Sequence, residues 1–483
     1  MPRSTDIVFD LIIEKGNVVD GTGSPRFCGD VGVEAGVIAE VGDLSAAPAR
    51  TRIDATGLVL SPGFIDVHAH DDLLLLERGN LPHPKLLQGV TTVVVGNCGI
   101  SLAPLVRENP PPPLNGLGSQ AYKFSTFKQY LDAVDDASPV VNAIALVGHS
   151  TLRVSHMKAW DAPASPSEIQ AMRRSLEESL DQGAWGFSTG LYYPTASAAS
   201  AAEVVEIGKP LMRRGDPIAM HIRDEGDNID AALNEAFSIG KLLDVPIVLS
   251  HHKLVGIKNH GRSRETLALV EQACRTQRVC LDCYPYDASS TMLLPGRVKQ
   301  SRDVLVTWST PEPSAAGMSL FKLAEARKED PETTARALAP AGAIYFALSE
   351  EDVTRILVHP LTMIGSDGLA HDAHPHPRLW GSFPRVLGRY VRERKALTLE
   401  AAVHKMTGLS ASQFGIPNRG TIARGNWADL VLFDPERICD QANYEQPMLA
   451  PAGIVSVYVN GELSCENGLP TGRRAGRMLR KLK

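Results

Sequence analysis

Two histidines, His68 and His70, are separated by one residue and follow a mostly apolar run. That run, Leu58 to Val67, is typical of a buried strand and is interrupted only at Ser61–Gly63. Alternate side chains of a strand lie on one face, so both imidazoles are expected to point the same way. Such a pair at a strand end makes half of a metal site, although His-x-His pairs also occur on exposed strands by chance.

Other residues that could bind metal stand at the ends of further predicted strands. Taken singly, each has an ordinary structural explanation, such as a core histidine, a small buried thiol or a turn aspartate. Their recurrence at the same end of successive strands predicts that five ligands and one acid meet at one rim. The predicted metal ligands are His68, His70, Cys98, His221 and His251, and the acid is Asp367.

Eight strand candidates alternate with amphipathic helices through the centre of the chain. They are Phe64–His68, Thr91–Gly96, Ala143–Val147, Ala184–Ser188, Ile218–His221, Ile247–His251, Val279–Tyr284 and Met363–Ser366. One helix has Ser165 as its N-cap and Glu168 at the capping-box position. Eight such units predict an α/β fold with a (β/α)8, TIM-like barrel, whose active site forms at the carboxyl ends of the strands. A doubly wound open sheet is the alternative, and the count of eight favours the barrel.

Short strands separated by glycine-containing turns occupy both ends of the chain. The candidates are Asp10–Glu14, Asp30–Glu34, Val37–Val41, Thr51–Asp54, Asp429–Phe433 and Gly453–Val459, the last followed by the hairpin signal Asn460-Gly461. We expect the two ends to build one small β-sandwich domain, with residues 1–61 and 415–483 as its parts and residues 62–414 as the barrel. The basic end, residues 473–483, is expected to be a solvated terminus.

Two long insertions leave the carboxyl ends of predicted strands. Residues 101–120, which include four consecutive prolines, follow the second strand. A longer insertion, at about residues 286–345, separates the seventh and eighth strands and includes the helix candidate Ser319–Arg327. A second helix candidate, Ser349–Leu357, follows it. Loops this long at an active-site rim are unusual unless functional, so the longer insertion is predicted to act as a lid.

The composition is that of a soluble globular protein. It is 43% hydrophobic and 22% charged, and no apolar run reaches the roughly 18 residues of a membrane span. The N-terminus lacks an apolar signal core, so export is not expected. A formal charge of -6 over 483 residues gives no reason to expect nucleic acid or an anionic membrane as a partner.

Seven scattered cysteines fit a reducing cytoplasm better than a disulfide framework. The oligomeric state stays open.

These motifs resemble those of the amidohydrolase superfamily, and within it the N-acyl-D-amino-acid deacylases, or D-aminoacylases. The resemblance covers nearly the whole chain. It rests on residues 62–72, 89–99, 147–150, 250–253, 364–368, 374–381 and 419–431. Asn97-Cys98-Gly99 is the most specific of these motifs. Many members of the superfamily bridge two metals with a carboxylated lysine, whereas the resemblance implies that the D-aminoacylase subgroup uses this cysteine as the bridge.

The resemblance implies a tight zinc at Cys98, His221 and His251. It also implies a weaker second site at His68 and His70, with Cys98 able to bridge. Zinc lowers the pKa of a bound water to about 7, so hydroxide is available to attack the acyl carbonyl. Asp367 would accept the water proton and deliver it to the leaving amine. The implied reaction is hydrolysis of a small-molecule N-acyl-D-amino acid to a carboxylate and a free D-amino acid.

A substrate with a free α-carboxylate needs a cationic clamp, and the resemblance assigns Arg378, Lys253 and Tyr284 to it. Without the resemblance, both cations would be read as solvated surface charges. Tyr192 and Arg297 are candidates for shaping the side-chain pocket. Tyr192 matches an aromatic position of the broad-specificity enzymes, whereas residues 308–311 look more like the N-acyl-D-glutamate deacylases. A deacylase selective for N-acyl-D-glutamate or N-acyl-D-aspartate therefore remains an alternative.

Two more distant alternatives also remain. One is a cyclic amidohydrolase of the hydantoinase or dihydroorotase kind on the same fold. That class usually carries a carboxylated lysine at the fourth strand, and Ala184–Ser188 contains none. The other is a non-catalytic scaffold derived from the fold. Such a scaffold would be expected to have lost ligands, whereas every expected ligand is present in this sequence.

Overall fold

The centre of the protein is a barrel of eight parallel strands. A computed structural model describes residues 8–79, 83–118 and 120–481. The barrel strands are Phe64–Asp66, Val90–Val95, Asn142–Gly148, Gly186–Gly190, Ile218–His221, Ile247–Leu249, Val279–Cys283 and Thr362–Ile364. Each pairs with the next one in chain order, and a parallel bridge between Ala69 and Gly368 joins the first and the last. Every predicted barrel strand lies at one of these positions, so the predicted barrel is confirmed.

Helices pack around the outside of the strands, which is why the strands read as continuous apolar runs. The helices of the described residues are Pro84–Leu87, Phe127–Ala137, His149–His156, Pro166–Asp181, Ala201–Met212, Ile229–Leu243, Ser263–Cys274, Pro295–Val298, Leu320–Arg327, Pro331–Leu338, Glu350–Val358, Arg378–Arg385, Leu399–Met406 and Gly408–Phe414, with a π-helical segment at Val386–Glu393. The capping box of Ser165 and Glu168 is present, and the two helices predicted near residues 319 and 349 are confirmed. Within the described ranges, no helix is long and apolar enough to cross a membrane.

Both chain ends contribute to one nine-stranded sheet, as the sequence predicts. Its strands are Phe9–Val18, Phe27–Glu34, Val37–Gly42, Ala49–Asp54, Val59–Pro62, Leu430–Phe433, Ile454–Val459, Glu462–Glu466 and Leu469–Pro470. The apolar run from Leu58 to Val67, predicted as one strand interrupted at Ser61–Gly63, forms two strands: the first belongs to this sheet and the second to the barrel. The chain changes sheets at Gly63, where a Cβ atom would lie 2.1 Å from Thr91 Oγ1.

The expected solvated terminus is a second correction. Residues 473–481 lie along the barrel instead, and Leu479 donates a backbone hydrogen bond of 2.8 Å to the carbonyl of Ala143. Arg480 pairs with Asp132 and Asp135 at 2.8 and 2.7 Å. The positive charges of this segment therefore serve to attach it to the barrel.

The insertion between the seventh and eighth barrel strands forms a small layer of its own. It contains an antiparallel sheet of three strands, which are Ser289–Met292, Val304–Ser309 and Ala341–Tyr345. Ala341–Tyr345 is the middle strand. Val306, Leu320 and Leu338 belong to a separate apolar cluster beneath it. The layer lies over the carboxyl ends of the barrel strands, beside the predicted site residues. Its role as a lid stays a prediction.

Candidate metal centre

Six side chains from five barrel strands converge at the carboxyl rim. The donor atoms of His68, His70, Cys98 and Asp367 lie within 4.8 Å of one another, and so do those of Cys98, His221 and His251. All six residues are buried. Cys98 belongs to both sets, so one thiolate stands where two metal positions would meet. The structure thus brings together every residue that the sequence predicts as a ligand or as the acid.

The distances around the sulfur are short. Cys98 Sγ lies 3.2 Å from His68 Nε2 and 3.4 Å from His251 Nε2. The latter nitrogen lies 3.1 Å from His221 Nδ1. On the other side, Asp367 Oδ1 lies 3.3 Å from His70 Nε2. One thiolate and two imidazoles are a donor set that suits zinc, and three protein ligands leave a position for water or substrate.

Three of the site residues have left-handed backbone conformations. The φ angles are 54° at Cys98, 36° at His251 and 50° at Asp367. This region is unfavourable for side chains with a Cβ atom and persists only where the surroundings enforce it. At these three residues the left-handed conformation turns the backbone sharply at the end of the strand, so that the side chain enters the barrel mouth. Strain of this kind clusters at functional sites.

Two acids that the sequence analysis did not single out contact the histidines predicted as ligands. Asp282 Oδ1 accepts the backbone N–H of His251 at 2.9 Å and lies 3.3 Å from His68 Nδ1. Glu225 Oε1 lies 3.1 Å from His251 Nδ1. Carboxylates behind metal-binding histidines fix the ring orientation and raise its basicity. Asp282 is a lone acid in an apolar strand, which is the signal that could have revealed it.

The charges of the site are arranged for an anionic sulfur and an anionic acid. Burial alone would raise the pKa of the Cys98 thiol, but His68 and His251 outweigh burial and hold that pKa well below its usual value. Burial would also raise the pKa of Asp367, yet Arg378 and His251 hold it well below the usual range. Both groups are therefore ionised at neutral pH, as a metal ligand and a proton acceptor require.

The predicted carboxylate clamp lies beside this centre. Arg378 Nη2 pairs with Asp367 Oδ2 at 2.9 Å, and its guanidinium lies 4.5 Å from the centre of the Tyr284 ring. Lys253 Nζ lies 2.7 Å from His251 Nδ1 and also pairs with Glu225. Arg378 and Lys253 are buried, so the reading of them as solvated surface charges is wrong. Within the described residues, Arg378 Nε, Arg378 Nη1 and the Tyr284 hydroxyl are buried without a partner, which leaves donors available for an anion.

Two cavities adjoin the centre. One, of about 300 Å³, is lined by Tyr192, Glu225, Arg297 and their neighbours. The Tyr192 ring stacks on His221 with centroids 5.5 Å apart, and the Arg297 guanidinium lies 4.6 Å from the Tyr192 ring. The other cavity, of about 50 Å³, lies between the two long insertions and is bounded by His70 and Asp367.

Comparison with known proteins identifies the family. The model of the "Amidohydrolase family" matches residues 51–211 and 323–464, which is more than half of the chain. The chain belongs to the amidohydrolase family. A D-aminoacylase of Alcaligenes xylosoxydans xylosoxydans is 50% identical over 480 residues, 99% of each chain. An N-acyl-D-glutamate deacylase of the same organism is 48% identical over 473 residues, 98% of this chain and 96% of the relative.

A solved structure of a deacylase closely matches this fold. The N-acyl-D-glutamate deacylase from Bordetella bronchiseptica, complexed with zinc and a phosphonate inhibitor that mimics the tetrahedral intermediate, superposes with a TM-score of 0.95. It is 46% identical, and the match covers 98% of this chain and 100% of that one. The agreement extends over both the barrel and the sheet formed by the chain ends.

Proposed function

We propose that the protein is a zinc-dependent N-acyl-D-amino-acid deacylase, which hydrolyses a linear amide to a carboxylate and a free D-amino acid. The observation that carries the proposal is the pair of buried donor sets sharing Cys98, next to buried cationic donors that have no partner among the described residues. The identity of about half the sequence with a D-aminoacylase over nearly its full length supports it.

The residues present fit zinc, with Cys98, His221 and His251 as the tight site. His68 and His70, with Cys98 as a bridge, would form a weaker second site. When bound, zinc acidifies a water molecule and polarises the acyl carbonyl. Asp367 accepts the proton of the attacking water and returns it to the leaving amine, which cannot depart as an anion. Its other oxygen stays paired with Arg378, so the carboxylate keeps its orientation.

Arg378, Lys253 and Tyr284 bind the α-carboxylate in this proposal. The cavity beside Tyr192 and Arg297 receives the amino-acid side chain. The smaller cavity receives the acyl group, and its volume of about 50 Å³ corresponds to about three to five water-sized groups. Short acyl groups such as acetyl are therefore preferred. We further propose that the barrel domain spans residues 62–414, with the small β domain on both sides of it in the sequence, and that the protein is cytoplasmic.

A substrate panel tests the function. Zinc-loaded protein should hydrolyse N-acetyl-D-amino acids with release of free amine, and should leave N-acetyl-L-amino acids and hydantoins intact. N-hexanoyl substrates should react more slowly than N-acetyl ones, because the acyl cavity is small. Hydrolysis of hydantoins alone would show a cyclic amidohydrolase, and a zinc-loaded protein with no activity on any of these substrates would support a scaffold.

Replacing Arg378 with lysine is expected to weaken substrate binding. The planar guanidinium contacts a carboxylate through two N–H groups, whereas an ammonium is a point charge. KM should rise by about 10- to 100-fold, since a hydrogen bond to a charged group contributes roughly 1.5–3 kcal/mol. The control is a substrate with an amidated α-carboxylate, for which the KM values of wild type and variant should differ little. Arg378 also pairs with Asp367, so a fall in kcat is expected on both substrates and does not test the clamp. An equal rise in KM on both substrates would show that Arg378 does not bind the α-carboxylate.

Selectivity for acidic D-amino acids is the second candidate function. The observation in its favour is the buried guanidinium of Arg297 at the larger cavity, where it donates to Glu225 Oε2 at 3.1 Å. If Arg297 also binds a substrate carboxylate, Arg297→Leu should lower kcat/KM for N-acetyl-D-glutamate by about 10-fold or more. The value for N-acetyl-D-leucine should then change little. Equal kcat/KM values of the wild type for both substrates would count against this selectivity.

A further inference from the structure

The seam between the first and eighth barrel strands is held together differently from the rest of the barrel. Each of the other seven neighbouring pairs forms a ladder of three or four residue pairs. At the seam, within the part of the chain that is described, there is no such ladder. The strands are joined there by the bridge of Ala69 with Gly368, by a hydrogen bond of 2.7 Å from the Asp367 N–H to the His68 carbonyl, and by a long N–H···O contact of 3.5 Å from Val67 to Ile364. The seam also runs between the two histidines and Asp367.

A buried side-chain network spans this seam. Lys85 is fully buried and donates to Asp66 Oδ2 at 2.8 Å and to the hydroxyl of Ser366. Asp66 Oδ1 accepts the backbone N–H groups of Ser366 at 2.8 Å and of His68 at 3.2 Å. The Ser366 hydroxyl donates to Asp66 Oδ2 at 2.6 Å. Asp66 and Ser366 lie on opposite sides of the seam, and each is within two residues of a predicted ligand or of Asp367.

We propose that Lys85 is a positioning residue, which acts through Asp66 and Ser366 to hold His68 and His70 at a fixed distance from Asp367. The proposal rests on the proposed function, because it concerns the second metal position and the acid of that reaction. A lysine ammonium and a carboxylate buried together contribute little to the free energy of unfolding on balance. The role attested for such pairs in some proteins is to favour one packing arrangement over competing ones. Here the selected arrangement is the seam geometry, with His70 Nε2 3.3 Å from Asp367 Oδ1.

The tight zinc site does not depend on this network. Cys98, His221 and His251 come from the second, fifth and sixth strands, which are paired by regular ladders. Loss of the network should therefore disturb the second metal position and the acid, and leave the tight site intact. A residue that only stabilises the fold would affect both positions together or neither.

The test is Lys85→Met, measured by zinc titration of the metal-free protein and by steady-state kinetics. Loss of residues that orient ligands typically costs about 10- to 100-fold in metal affinity or activity. We expect losses of that size in second-site zinc affinity and in kcat, with the tight site and KM nearly unchanged. Asp66→Asn/Lys85→Met removes the charge that Lys85→Met leaves on Asp66, and the amide can still accept both backbone N–H groups. Asp71, 3.8 Å from Lys85 Nζ in the wild type, stays without its cation, so kcat should recover in part and not fully.

Lys405→Met is the matched control. Lys405 is also a buried lysine, and it donates to the carbonyls of His359 and Thr362 at the opposite end of the eighth strand. This variant should lower the melting temperature and leave kcat unchanged. If Lys85→Met does not fold, Ser366→Ala removes the bridging hydroxyl without leaving a charge and should reproduce the losses.

Three results would overturn the proposal: unchanged kcat and second-site affinity in Lys85→Met, equal weakening of both zinc sites, or the same kinetic loss in Lys405→Met. Where the wild type binds a single zinc, kcat decides. Should the wild type hydrolyse none of the panel substrates, the proposed function fails, while the zinc titration still reports on the role of Lys85.

Discussion

Replacing Cys98 with alanine is expected to remove the tightly bound zinc and the turnover of N-acyl-D-amino acids together. Cys98 contributes to both donor sets, so its loss takes a ligand from each metal position at once. It is also the only thiolate among them, and the remaining imidazoles bind zinc less strongly than a set with sulfur. After dialysis, zinc content should fall from about one ion per chain to near zero. Elemental analysis and kcat on one preparation measure both losses.

Cys280→Ala is the matched control for that variant. Cys280 is a buried free cysteine in the seventh barrel strand and belongs to neither donor set. Burial raises the pKa of its thiol, so it is not a metal-binding thiolate at neutral pH. This variant should keep zinc and most of its activity. A Cys98→Ala protein that is fully active and loaded with zinc would contradict the metal proposal.

The barrel could be predicted because its strands carry two independent signals. A strand buried on both faces, such as Asn142–Gly148, reads as a continuous apolar run. The polar residues that follow such runs mark the carboxyl rim, where a barrel places its chemistry. Together these signals predicted the fold and brought the six residues of the donor sets to one end.

Other parts of the structure depend on contacts that a local pattern does not contain. Val59–Pro62 and Phe64–Asp66 are one apolar run in the sequence, and only their partners assign them to different sheets. The basic terminal segment resembles a solvated one because the acids that bind it, Asp132 and Asp135, lie more than 300 positions earlier. A single sequence gives no sign of such long-range pairing.

The supporting residues of the site were harder to predict than the ligands. His68 and His70 have a recognisable spacing, whereas Asp66, Lys85 and Glu225 are ordinary charged residues until the fold buries them. Burial forces each charge to find a partner, and those partners come from distant parts of the chain. The buried position of Arg378 likewise follows from the tertiary structure, although the resemblance alone implies its role in the clamp.

Replacing Asp367 with asparagine tests the mechanism apart from metal binding. Asparagine keeps the size of the side chain and removes the base, so kcat should fall by at least about 10²–10⁴-fold, the usual contribution of a positioned general base. The tight zinc should remain, because Cys98, His221 and His251 do not require the acid. Arg378 loses its ionic partner but keeps its contacts with the Ser290 carbonyl and the Tyr284 ring. A competitive inhibitor with a free α-carboxylate should therefore still bind.

The pH dependence of the wild type adds an independent check. Burial would raise the pKa of Asp367, but Arg378 and His251 hold it well below its usual range, so this carboxylate alone stays ionised far into the acidic range. If activity already falls above that range as the pH is lowered, the fall reports the coupled ionisation of the attacking water and Asp367. The acidic limb of the kcat profile should therefore lie above the range in which Asp367 alone would titrate.

His149, at the end of the third barrel strand, is another candidate for the base, and His149→Gln is the control that separates it from Asp367. His149 is buried, lies 3.1 Å from Glu203 Oε1 and belongs to neither donor set, so its loss should leave kcat almost unchanged. Zinc content, inhibitor affinity and kcat are measured on single preparations of both variants. If Asp367→Asn keeps zinc, inhibitor and a kcat within a few-fold of wild type, Asp367 is not the base. A large loss in His149→Gln would then assign proton transfer to His149, and otherwise His70 is the remaining candidate.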